Sequence, residues 1–352
     1  MSSDSDASIP PAGEPRRRRV RYAGKHPRRF EDKYKEHDPA KYPDVVAKVL
    51  ASGKTPAGAH RPIMVAEVLD ALQPQTGQVA VDCTLGYGGH AREFLGRLQP
   101  GGRLIGLDAD PLELPKTEAR LREAGFGPEA FTARRSNFAG LTKALAAEGL
   151  VGADLVFADL GVSSMQLDEP GRGFSFKLEG PLDMRMNPQR GRPASALLQS
   201  LDAPALAELL VENADEPHAE RLAAALAGAS LSTTSELSQR IREVLGRVSP
   251  EERELSVRRV FQAIRIAVND EFASLDALLR ILPAALLPGG RAAILTFHSG
   301  EDRRVKKAFE AGLREGAYAE IAREVIRPTA AERGANPRSA PAKLRWARRG
   351  VC

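Results

Sequence analysis

The stretch VDCTLGYGGHAREFL, residues 81–95, decides how the chain folds. Its first residues are apolar, as in a strand buried on both faces, and its last ones carry apolar side chains at helical spacing. Between them Gly86, Gly88 and Gly89 break both patterns. Strand, glycine turn and helix in that order begin a parallel βαβ unit, and in open parallel sheets ligands bind outside the carboxyl ends of the strands. Asp82 and His90, on either side of the glycines, are therefore candidates for a ligand site.

Working outward, MVAEVLDAL (64–72) reads as an amphipathic helix, QVAVDCTL (78–85) as the strand, HAREFLGRL (90–98) as the helix after the turn and GRLIGLDAD (102–110) as a second strand. ADLVFADLGVSS (153–164) is a further apolar run ending in a polar turn. Residues 191–255 lose the strand signal and read as Ala- and Leu-rich helix. Helix and strand resume with VRRVFQAIRIAVNDEFASLDALLRILPAALLPGG and RAAILTFHS, with Pro288, Gly289 and Gly290 as the expected helix stop. The expected organisation is a basic arm over 1–58, a sheet domain over 59–190 and 256–352 with a basic C-terminal tail, and a helical insertion over 191–255.

Gly86, Gly88 and Ala91 satisfy the spacing of a dinucleotide fingerprint, with Asp108 at the end of the next strand where an acid meets a ribose hydroxyl. Asp82 argues against a diphosphate, which it would repel. It favours a cation such as the ammonium or sulfonium of S-adenosylmethionine. An oxidoreductase built on this turn would also need a hydride-transfer site, and no Tyr/Lys or His/Asp arrangement supplies one. Asp159 stands at the tip of its strand, facing solvent or a substrate. The segment 165–188, MQLDEPGRGFSFKLEGPLDMRMNP, is too long for a plain connection and too rich in Phe, Leu and Met for disorder. It reads as an ordered substrate loop whose Arg172, Lys177 and Arg185 can reach phosphates, pair with Asp168, Glu169, Glu179 and Asp183, or do both.

Composition narrows the function classes. The chain has 352 residues, and 51 Lys and Arg against 46 Asp and Glu give a net charge of +5, compatible with a polyanionic partner. Much of the basic character sits in RRRRVR (16–21) and in Arg338, Lys343, Arg345, Arg348 and Arg349. Two cysteines exclude a disulfide framework, no metal-ligand spacing is present, and no apolar run reaches the roughly 18 residues of a membrane span. A cytoplasmic protein without metal or membrane partner is expected.

Several motifs together are specific. HRPIMVAEVL, DCTLGYGGH, GLDADP, the long segment from DLGVSS to MRMNP, FQAIRIAVNDE, FHSGEDR and ANPRS occur in the order found in the bacterial RsmH or MraW methyltransferases, which this chain resembles from His60 to about Arg349. The resemblance implies a Rossmann-like α/β fold with an inserted helical domain. It also implies methyl transfer from S-adenosylmethionine to the N4 amine of a cytidine in the decoding region of 16S rRNA in the small ribosomal subunit. By that likeness Gly88, Gly89 and His90 contact the cofactor's methionine portion, Asp108 its ribose and Phe138 its adenine, while Asp159 and Gln166 complete the pocket. Asp159 is also the expected catalytic residue, orienting the amine together with backbone carbonyls of Leu160 to Val162. Ser163 and Ser164 either hold the acceptor nucleotide or cap a turn, and His298 either touches substrate or is structural. A homodimer is compatible with the sequence, as is a related enzyme acting on another RNA or a protein. Tyr87 stands where the family commonly has Arg, Met165 where it has Pro, Asn187 where it has Asp and Gly300 where it has Leu.

Overall fold

A computed structural model describes residues 62–351, so the arm expected over 1–58 lies outside the described residues. Seven strands form one sheet: β1 (Val79–Asp82), β2 (Arg103–Asp108), β3 (Phe131–Arg135), β4 (Ala153–Asp159), β5 (Leu286–Thr296), β6 (Tyr318–Ile321) and β7 (Lys343–Arg349). Their order is β3-β2-β1-β4-β5-β7-β6. β1 to β5 are parallel, and β7 runs antiparallel to both β5 and β6. The strand order reverses between β1 and β4, which opens a crevice at the carboxyl ends of those two strands.

The apolar runs are continuous because helices cover both faces of the sheet. Alternate residues part company: Val81, Ile105 and Val156 pack with Leu141, Leu278 and Leu282 on one face. Ala80, Leu104 and Phe157 pack with Leu72, Phe94 and Leu95 on the other. Each such Leu or Phe, fully withdrawn from water, contributes about 1.5–3 kcal/mol.

The end of the long apolar helix differs from expectation. Glu271–Ala285 stops before Pro288, and Pro288, Gly289 and Gly290 already belong to β5. Ala153 pairs with Leu286 and Leu155 with Arg291, so these residues form an irregularity in the ladder. Gly289 has φ +77°, which a strand interior tolerates only at such a bulge.

A third apolar core gathers the helices Ala194–Ser200, Ala203–Ala214, Ala219–Leu226, Thr234–Val244 and Pro250–Asn269. Side-chain caps start several of them: Asp202, Thr233 with Glu236 as a capping box, and Ser249. The core crosses both bounds expected for the insertion. Phe174, Leu182 and Met184 enter it from before 191, and Val257, Val260, Phe261 and Ile264 from beyond 255, on a helix that runs unbroken through the expected boundary.

The basic C-terminus is not a tail. Lys343–Arg349 is a strand that fills the place between β5 and β6, with Leu344 buried on one face of the sheet and Ala347 on the other. Its cations are paired: Lys343 and Arg345 with Asp302 at 3.0 and 2.7 Å, and Arg348 with Glu320 at 3.1 Å. Burial raises the Asp302 carboxyl, but the two cations prevail and hold it below its ordinary value. Among the described residues no helix is long and apolar enough to cross a membrane.

Leu210, wholly buried in the third core, provides a test of that packing. Leu210→Ala is expected to cost about 2–5 kcal/mol in urea unfolding, and a loss below about 0.5 kcal/mol would mean the helices do not form one packed core.

Candidate active site

The glycine turn is shaped by backbone geometry and close packing. Gly88 has φ +84° and caps the helix Gly89–Leu98, and a Cβ there would stand 2.9 Å from Thr117 Cγ2. A Cβ on Gly89 would lie 3.0 Å from the Pro62 ring. Side chains are excluded on both grounds. Asp108 Oδ2 accepts from the Gly86 N–H at 2.8 Å and Thr117 Oγ1 donates to the Gly86 carbonyl at 2.5 Å, which fixes the turn to β2 and to the helix Leu114–Glu123. Tyr87 lies beneath the Arg120 guanidinium, 3.8 Å from its ring centre.

Asp82 and Asp159 end the neighbouring strands β1 and β4. Asp82 Oδ1 accepts from the Thr84 N–H at 3.0 Å, and Thr84 Oγ1 accepts from the Asp159 N–H at 2.6 Å, so one hydroxyl ties the two tips together. His90 completes the group. Its Nε2 is 2.9 Å from the Ile63 carbonyl, its Nδ1 3.8 Å from Asp159 Oδ2, and its ring 4.6 Å from that of Phe157.

The electrostatics of this edge are one-sided. Burial, aided by the Asp108 charge, pushes the Asp82 carboxyl up to about 7 against the opposing Thr84 hydrogen bonds. Burial raises Asp159 to about 8, with Asp82 and Glu301 adding to the shift. Asp108 rises to about 6 through burial, although N–H groups of Asp110 and Gly86 oppose it. Burial also lowers His90 to about 4, so at neutral pH it is uncharged and cannot balance the acids. Asp159 nevertheless keeps 27% of its side chain exposed. A ligand that brings positive charge fits here, because it supplies what the fold lacks. Hydroxyl donors fit as well, since each Asp108 oxygen takes one N–H and retains a second acceptor position.

The loop after β4 joins this edge. Ser163 caps the short helix Ser164–Asp168, with Gln166 as the other half of a capping box. Gln166 also donates to Asp110 Oδ2 at 3.1 Å. Ser163 thus caps the turn, and Ser164 is half-buried beside it. Phe138 begins a short 3-10 turn, partly buried against the first core face, with neighbouring Asn137 bonded to Ser274 Oγ at 3.1 Å.

Two expected substrate contacts are placed elsewhere. Arg172 turns inward to Asp110 at 2.8 Å instead of reaching outward to phosphates or pairing within its own loop, because Asp110 is buried and needs a counter-charge. His298 caps the helix Ser299–Arg314 and lies 3.1 Å from Glu301 Oε1. Burial works against the Glu301 charge, but His298 and Arg265 outweigh it and hold that carboxyl below its ordinary value. Arg185 is clamped by Asp183 at 2.6 Å. Gly300 lacks a side chain where Phe272 needs the room, since a Cβ would come 2.6 Å from the Phe272 ring.

Sequence reasoning missed Thr84, Asp110 and Asn269. Asn269 accepts from the Met186 N–H at 2.7 Å and donates to the Met184 carbonyl at 2.8 Å. Asp110 was legible as the second acid of GLDADP, because its carboxylate closes a turn on the Leu112 N–H at 2.9 Å. No local signal marks the other two.

Comparison with known proteins shows the family. The profile of the MraW methylase family matches residues 57–350. Ribosomal RNA small subunit methyltransferase H 2 of Alkaliphilus metalliredigens is 49% identical over 343 residues, covering 95% of this chain and 98% of its own. Ribosomal RNA small subunit methyltransferase H 1 of Lachnoclostridium phytofermentans is 47% identical over 340 residues, covering 94% and 92%. The corresponding enzyme of Anaeromyxobacter sp. Fw109-5 is 41% identical over 306 residues, covering 81% and 96%. Matches of this extent show that the chain belongs to the MraW methylase family: it is a methyltransferase, and S-adenosylmethionine is its cofactor.

Proposed function

We propose that the protein methylates the N4 amine of a cytidine in the decoding region of 16S rRNA, acting on the small ribosomal subunit in the cytoplasm. The relatives are named for ribosomal RNA of that subunit. The observation that carries the chemistry is Asp159, a partly exposed carboxyl group at the tip of β4 with no described cation to neutralise it.

Bound in the crevice, the cofactor supplies a methyl group on a positively charged sulfur. The remaining chemistry falls to the chain's own residues. Gly88, Gly89 and His90 border the methionine portion, Asp108 takes the ribose hydroxyls, Phe138 walls the adenine, and Gln166 keeps the pocket's far side in place through Asp110. A cytosine amine is a weak nucleophile because its lone pair is delocalised into the ring. Asp159, ionised beside positive charge, accepts a hydrogen bond from that amine and holds it in line as the nitrogen becomes tetrahedral. Gly161, at φ +103°, turns the chain so that carbonyls of Leu160 to Val162 supply further acceptors. The proton leaves a product that is already acidic, so no strong base is needed. The residues of 165–188 and the helical core would hold the RNA around the flipped nucleotide.

Labelled S-adenosylmethionine, incubated with small subunits that lack this modification, should give N4-methylcytidine at one decoding-region site by nucleoside mass spectrometry. Cofactor binding with no label in RNA would move the acceptor elsewhere. Asp159→Ala should lower turnover by about 10²–10³-fold in a protein with unchanged circular dichroism, and near-normal turnover would exclude the amine-orienting role. Because Asp82 and Asp159 titrate near 7 and 8 in the free protein, a positive ligand must displace protons at lower pH. Affinity for S-adenosylmethionine should therefore rise from pH 6 to pH 8.5. S-adenosylhomocysteine, which lacks the sulfonium charge, should show a flatter profile in the same calorimetric titration, and identical profiles would mean the acids do not face the sulfur.

A further inference from the structure

Arg172 is only 11% exposed, yet it belongs to a loop. Its guanidinium reaches in two directions. Nη1 donates to Asp110 Oδ2 at 2.8 Å, and Nη2 donates to the carbonyls of Arg185 and Met186 at 3.1 and 2.9 Å. Asp110 is continuous with the cofactor edge, since its N–H donates to Asp108 Oδ1 at 2.8 Å and its Oδ2 also receives Gln166. Met184 and Met186 are held from the opposite side by Asn269, at the end of the last helix of the third core. The backbone at 184–186 is thus suspended between the helical core and the cofactor turn, and on the cofactor side Arg172 holds it.

We propose that Arg172 is a positioning residue: its planar fork sets the 184–186 backbone over the Asp108–Asp159 edge and so registers the bound RNA on the cofactor. The proposal rests on the methyltransferase reading above. A buried ion pair alone would account for one arm of the fork, whereas the two carbonyl contacts have no bearing on charge balance. Those two contacts separate positioning from mere stability. Lysine cannot replace the fork, because an ammonium group is a point charge without the fixed planar geometry needed to serve carboxylate and carbonyls together.

The test uses the full chain with small subunits lacking the modification, and reads KM for subunits, kcat, Kd for S-adenosylmethionine and thermal stability. Arg172→Gln leaves Asp110 uncompensated and should lower stability. Arg172→Gln combined with Asp110→Asn removes that charge and should regain most of the stability. If Arg172 positions the loop, both variants raise KM for subunits by about tenfold or more with S-adenosylmethionine held saturating, whatever Asp110→Asn does to the cofactor Kd, and Arg172→Lys falls between. Recovery of normal KM by the double variant would reduce Arg172 to a stabilising ion pair and overturn the proposal. An unchanged KM in Arg172→Gln would overturn it too. Absence of RNA methylation by the unaltered protein would instead overturn the functional reading, and this proposal with it.

Discussion

Carboxyl groups crowd the carboxyl ends of β1, β2 and β4, Asp82 buried and Asp108 and Asp159 partly so, and the low polarity around them makes it costly for all to ionise at once. The surrounding structure serves that constraint. Thr84 bridges two of the strand tips, the glycine turn sends the Gly86 N–H to Asp108, and His90 stays neutral beside Asp159. Nearby, Glu301 is kept ionised by His298 and Arg265 rather than joining the uncompensated group. Water can relieve the strain only by protonating the acids. A cation relieves it by occupying the edge, which gives the site its preference for a positively charged methyl donor over a pyridine dinucleotide with its diphosphate.

Much of this was legible from sequence because it is local. Asp82, Asp108 and Asp159 each end an apolar run, and an acid at the end of a buried strand of a parallel sheet has few places to point. What escaped notice depends on partners distant in sequence. For Arg172 the sequence offered phosphates or the acids of its own loop, and the partner it has, Asp110, lies on another strand's turn. The pairing of the β7 cations could not be read locally because their acids, Asp302 and Glu320, come from other elements. Pro288 and the glycines after it carry the local signature of a helix stop, and only the pairing with β4 turns them into a bulge.

The third core reaches past 191 and 255 for a related reason. Helical periodicity marks where helices run, not which core they serve. Phe174, Leu182 and Met184 sit in an irregular segment with no periodicity, yet they pack with Leu198, Leu222 and Ile264. The segment expected to face substrate is therefore anchored mainly in the helical core, with Phe176 edge-on to Phe261 at 5.6 Å, and it touches the sheet chiefly through Asp110. Two cores of different architecture thus share one loop.

The adjacency of β4 and β5 also bears on how the chain finds its structure. These strands pair along most of their length, but β4 ends at Asp159 and β5 starts at Leu286, with the whole helical core between them. The most extensive helix pairing in that core joins Ala203–Ala214 to Pro250–Asn269, a shorter span of chain than the one between β4 and β5, so the helices can pack first while the central pairing of the sheet must wait for a longer loop to close. A helical core that forms early shortens the effective excursion and brings the two strands within reach. In kinetic terms the insertion is a scaffold for its own host.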